Sequence, residues 1–126
     1  MLSLLIFFPF VPLFRRQHLA ESYFILWRLT HDQRYREYAW QLVEAIQQNA
    51  RTESGGYGSV KDVNEFPTTQ LDYQPPEFFS GTLLYLFLTF SNDTVLPIDK
   101  WIFNAVGHPL PVCGQHQLYA RNMCIH

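Results

Sequence analysis

The sequence predicts an all-α fold, on three observations. Tyr35, Tyr38, Ala39, Leu42, Val43, Ile46 and Ala50 recur at steps of three and four residues, the spacing of one buried helical face. Just upstream, from about Leu19 to Leu29, Ala20, Tyr23, Phe24 and Trp27 share a face in the same way. From Phe78 onward the chain is apolar almost all round, through Phe79, Leu83, Leu84, Leu86, Phe87, Leu88 and Phe90, which in a helix means burial on several sides.

Each element has a local chemical cause. Residues 1–14 are apolar and end at Arg15-Arg16. This stretch is shorter than the ~20 residues that span a bilayer as a helix, and it has neither a basic first region nor a small-residue cleavage site. The two arginines after it favour a cytoplasmic side for the downstream chain. Membrane contact through residues 1–14 and a leader of unrelated origin are both open at this point. The first helix runs into Thr30-His31-Asp32, with Asp32 as the N-cap of the second, so the two form an αα-hairpin. Gly55, Gly56 and Gly58 break the helical pattern, and Ser59 to Val63 is expected as a short strand in a Gly-rich, hairpin-like insertion. Pro67, Pro75 and Pro76 exclude regular structure until a third helix begins near Glu77. So short a chain leaves that helix few neighbours, which predicts exposed apolar surface and self-association.

A net charge of −2 over 126 residues, with the basic residues dispersed, gives no footprint for nucleic acid. Cys113 and Cys124 stand in a tail with His108, His116 and His126, without the close pairing of ligands that a zinc site uses. A disulfide closing the tail and two free thiols are the alternatives. Asn92-Asp93-Thr94 is an N-glycosylation sequon in an expected surface turn.

Trp101-Ile102-Phe103-Asn104-Ala105-Val106-Gly107-His108-Pro109 resembles the Phe-Asn-Thr-Glu-Ala-His-Pro segment of class I α-1,2-mannosidases, glycoside hydrolase family 47. Leu19-Ala20-Glu21-Ser22-Tyr23 through Asp32, and Tyr35 through Trp40, are similar to the helical pair after that family's Arg-Pro-Glu motif. Gly55 to Val63 looks like its Gly-rich hairpin, and Thr82-Leu83-Leu84-Tyr85-Leu86 looks like its Glu-Thr-Leu-Lys-Tyr-Leu run. The resemblance implies an incomplete portion of an (α/α)₇ barrel over residues 15–112, between the apolar residues 1–14 and an unrelated tail at 113–126. It also implies Ca²⁺ as cofactor, high-mannose N-glycan as substrate, and work in the endoplasmic reticulum or Golgi.

The chemistry implied by the resemblance meets substitutions. Inverting glycoside hydrolysis needs one carboxylic acid and one opposed carboxylate. The family's general base, the Glu of Arg-Pro-Glu, falls on His18, its sugar-contacting Arg is kept as Arg16, and Glu21 is a retained family acid. The family's Ca²⁺-binding Thr falls on Ala105 and the neighbouring Glu on Val106, while the Glu before Thr-Leu-Lys-Tyr is Gly81 or is deleted beside it. The resemblance places the general acid upstream of the matched region. The expectation is a catalytically inactive homologue that does not bind Ca²⁺ tightly. The alternatives are a non-catalytic module that binds high-mannose glycan through Arg16 and Phe78, or binds and regulates a full-length homologue, and a truncated product without selected function.

Overall fold

The computed structural model describes residues 17–62 and 67–114, and the expectations for residues 1–16, Arg16 included, lie outside them. Helices α1 (Gln17–Thr30) and α2 (Gln33–Asn49) form the expected hairpin. A π-helical segment (Phe78–Leu83) leads directly into α3 (Leu84–Phe90). Two antiparallel strand pairs complete the described residues: β1 (Ser59–Val60) with β2 (Gln70–Leu71), and β3 (Trp101–Phe103) with β4 (Pro109–Pro111). The fold is thus mostly helical with two small hairpins. No described helix is long and apolar enough to cross a membrane.

The α1–α2 turn is built from its own side chains. Asp32 accepts the Arg34 backbone N–H at 3.0 Å, the N-cap expected of it, and also holds the Arg34 guanidinium at 2.6 Å. Those contacts hold the Asp32 carboxyl below its ordinary pKa. His31 adopts a left-handed conformation, φ 54, and its N–H closes the last turn of α1 on Trp27 O.

The core joins all three helices, with α1 in contact with α2, the π-helical segment and α3. Ala20, Tyr23 and Phe24 of α1 meet Ala39, Leu42 and Ile46 of α2 and Tyr85, Leu86 and Leu88 of α3. The α2 face matches its periodicity, but on α1 the residue buried at the end of the stripe is Arg28, and Trp27 is half-buried. The third helix differs more. Its first six residues are π-helical, with Leu84 N–H on Phe79 O, and only after Leu83 does the chain settle into α-helix. Its apolar surface is unevenly covered: Phe78 and Leu88 are buried, while Phe79 and Phe87 are 57% and 64% exposed.

The strand expected over 59–63 is confined to Ser59–Val60 in the described residues. The β3–β4 hairpin, which periodicity did not predict, pairs Trp101 with Pro111 and Phe103 with Pro109. Phe103 packs its ring edge-on against Phe24 and Tyr85, and so ties that hairpin to the core.

Candidate functional site

His18 and Glu21 lie one turn apart at the start of α1, which brings His18 Nδ1 within 3.1 Å of Glu21 Oε2. The His18 side chain is 74% exposed. Glu21 also acts on the phenol of Tyr85 on α3: burial, reinforced by the Glu21 charge and by a hydrogen bond to it, pushes Tyr85 up to about 12. The carboxylate therefore links the imidazole to a neutral phenol. Phe78 is elsewhere and inward-facing. It is 3% exposed and packed between Tyr57 and Phe79, so it offers no open face on which a sugar could stack.

Ala105 and Val106 occupy the turn between β3 and β4, and both are exposed. Asn104 folds that turn. Its side-chain carbonyl accepts the N–H groups of Val106 at 3.1 Å and His108 at 2.9 Å, while its backbone N–H reaches His108 O and its carbonyl accepts Gly107 N–H. Gly107 is buried at φ +75, with its α-carbon pressed against the π-helical segment. A Cβ there would overlap Ser80 O and lie 3.0 Å from Leu84 Cδ2. Only glycine tolerates both the angle and the approach.

These residues do not fit a calcium ion. Calcium takes about 6–8 oxygens at roughly 2.3–2.6 Å, mostly from carboxylates and carbonyls. Ala105 offers a backbone carbonyl alone, Val106 offers no side-chain oxygen, and Asn104 Oδ1 already accepts two hydrogen bonds within the turn. Gly81, on the facing segment, contributes no side chain. Among the described residues no group of three or more His, Cys, Asp or Glu is placed to hold a metal. Cys113 is disulfide-bonded, and Cys124 lies outside the described residues.

The densest polar cluster involves residues that the motifs did not single out. The Arg28 side chain, 2% exposed, reaches from α1 beneath the C-terminus of α3. It donates to the carbonyls of Leu88 at 3.0 Å, Asp93 at 3.0 Å and Val95 at 3.1 Å, and more weakly to Asn92 at 3.4 Å. Its Nε lies 3.3 Å from Asp93 Oδ1, and Asp93 Oδ2 lies 2.6 Å from His31 Nε2. Burial lowers the Arg28 pKa against the opposing pull of Asp93. The bond to His31, then the charge of Arg28, hold the Asp93 carboxyl below its ordinary value. A helix C-terminus leaves carbonyls without intrahelical partners, and a guanidinium satisfies several at once. The available signal was positional: Arg28 lies four residues after Phe24 and eight after Ala20, on the buried stripe.

Comparison with known proteins places this sequence in a family. The family model described as glycosyl hydrolase family 47 matches residues 13–112. The chain is 45% identical over 104 residues to mannosyl-oligosaccharide alpha-1,2-mannosidase IA of Drosophila melanogaster, covering 82% of this chain and 15% of that protein. It is 46% identical over 97 residues to mannosyl-oligosaccharide 1,2-alpha-mannosidase IB of Homo sapiens, covering 77% of this chain and 15% of that protein. With mannosyl-oligosaccharide 1,2-alpha-mannosidase MNS3 of Arabidopsis thaliana it shares 43% over 97 residues, covering 77% and 16%. The matched region thus spans about 15% of the length of these relatives. On both the family match and these identities, the chain belongs to glycosyl hydrolase family 47.

Proposed function

We propose that this chain is a catalytically inactive member of the family, one that keeps part of the scaffold of an (α/α) barrel and not the chemistry of α-1,2-mannosidases. The single observation that carries this reading is the make-up of the β3–β4 turn, whose side chains at 105 and 106 hold no oxygen. At the positions that the family resemblance assigns to calcium, Ala105 and Val106 supply no side-chain oxygen, and the buried Gly107 backs directly onto Ser80 O. The position assigned to the general base is His18, which is exposed and paired with Glu21. A protonated imidazole carries the wrong charge to stabilise an oxocarbenium-like state.

The test is direct. The full chain, incubated with a high-mannose oligosaccharide and Ca²⁺, is expected to release no free mannose above a heat-treated control, and calcium-dependent release would overturn the reading. Loss of a general base alone removes roughly 10²–10⁴-fold in rate, so the assay uses enough protein and time to detect a rate reduced by that factor. Calorimetric titration with Ca²⁺ is expected to give no binding at micromolar concentrations; a dissociation constant in or below that range would overturn that expectation.

The same reading sets the context of the protein. The relatives' names mark them as mannosyl-oligosaccharide α-1,2-mannosidases, and by that kinship the endoplasmic reticulum or Golgi is its expected location. High-mannose N-glycan and a full-length homologue are the partner classes to test. The exposed Phe79 and Phe87 rings, with Ile25 and Leu29 also exposed on α1, support association with a further helical segment over sugar stacking. Co-elution with a full-length homologue checks the first, and a glycan array checks the second.

A further inference from the structure

We propose that Asn92 is an acceptor for N-linked glycan transfer. Of the five asparagines of the sequence, it alone is followed two positions later by Ser or Thr. Asn92, Asp93 and Thr94 are all exposed, just beyond the C-terminus of α3. The triplet is already folded into a compact acceptor turn: Asn92 Oδ1 accepts both the backbone N–H and the hydroxyl of Thr94, each at 3.0 Å, and Asn92 O accepts the N–H of Val95 at 2.9 Å. Both hydrogen bonds to the Asn92 side chain thus fall on its oxygen. They polarise the amide carbonyl and leave the chemistry to Nδ2. Beneath the turn, Arg28 grips the carbonyls of Asn92, Asp93 and Val95, and Asp93 is held by His31, so the loop's own polar groups are engaged inward while the amide side stays at the surface.

The co-reactant is an oligosaccharide linked to a polyprenyl diphosphate, presented by an oligosaccharyltransferase. Asn92 Nδ2 attacks the anomeric carbon of the reducing-end sugar, and an N–C bond forms. The bond from that carbon to the diphosphate oxygen breaks, and its electron pair leaves with the lipid diphosphate. The proton lost from Nδ2 passes to a base of the transferase. No oxidant or reductant is needed. The proposal rests on this turn alone and stands or falls independently of whether the chain hydrolyses mannosides.

The test is translation of the full chain, with a cleavable secretion signal added at its N-terminus, in the presence of microsomes. The protease-protected product is expected to shift by one glycan, and the shift is removed by an endoglycosidase. Asn92→Gln and Thr94→Ala are expected to abolish the shift, whereas Thr94→Ser, which keeps the hydroxyl, retains it. Asn122→Gln, which removes an asparagine followed two positions later by cysteine, is expected to leave it unchanged. A lumenal, protease-protected chain without a glycan would overturn the proposal, as would a glycan that persists in Asn92→Gln.

Discussion

Two turns of this protein are held in opposite ways. The turn after α3, residues 91–95, is knitted from beneath by a buried charged side chain, with Arg28 reaching four carbonyls and Asp93 bridging Arg28 and His31. The turn between β3 and β4, residues 104–108, has no charged contact among the described residues. It is folded by Asn104 and pinned by the bare backbone of Gly107 against Ser80 O. The difference separates the parts of the family motif that still act here from those that do not. Phe103 and Asn104, which match the family, pack and cap; Ala105 and Val106, which replace its polar residues, lie at the surface. The retained residues serve folding.

The largest effect is expected at the first turn. Arg28→Met keeps most of the stem but strands the buried Leu88 carbonyl and the part-buried carbonyls of the turn, and it is expected to cost about 3 kcal/mol or more. A urea midpoint that falls at unchanged m-value would register it. A cost below about 1 kcal/mol would mean that water replaces the guanidinium, and the contrast between the turns would collapse.

At the second turn, Gly107→Ala is expected to lose roughly 2–3 kcal/mol, the upper part of the range for local backbone strain. Gly55→Ala is the internal reference. That glycine also has a positive φ, +96, but nothing lies within 4 Å of its would-be Cβ, so it carries the conformational cost alone, about 1 kcal/mol. Equal losses for the two variants would show that Ser80 yields, and that the turn is not closed by contact.

Acid separates the turns further. The Asp93 carboxyl titrates below its ordinary value of 3.8 when folded. Its stabilisation is therefore complete above that value and fades as pH falls through the depressed one. The side chain is about half exposed, so the effect is modest. Thermal midpoints measured from pH 6 down to pH 2 are expected to decline less steeply for Asp93→Asn than for the parent; parallel curves would assign the acid sensitivity elsewhere.

The smallest change is expected where the family's polar residues have been replaced. Ala105→Thr and Val106→Glu face solvent and are expected to leave stability within about 0.5 kcal/mol. Neither alone is expected to bring measurable Ca²⁺ affinity, since one side chain falls far short of the roughly 6–8 oxygens that calcium takes. Tight calcium binding by the double variant would mean that the loss of these two side chains alone removed the site.

Much of this was legible in the sequence. The 3.6-residue periodicity located α1 and α2, because a helix buries whatever lies on one stripe, whichever neighbour covers it. Asp32 announced its cap for an equally local reason, as a side-chain carboxylate two residues from the N–H it accepts. The motif residues from Trp101 to Pro111 and from Leu19 to Trp40 carried the family, and with it the substitutions at His18, Ala105 and Val106. The tertiary structure alone decided the properties that depend on what lies across space. Arg28 belongs to the buried stripe because the carbonyl end of α3 meets it there. Phe78 faces Tyr57 and the core, not a ligand. Gly107 is irreplaceable because Ser80 O occupies the place of its side chain. A residue's position on a helix or turn is set by its neighbours in sequence, but its partner is set by segments some twenty to seventy residues away, and no local pattern encodes where those will land.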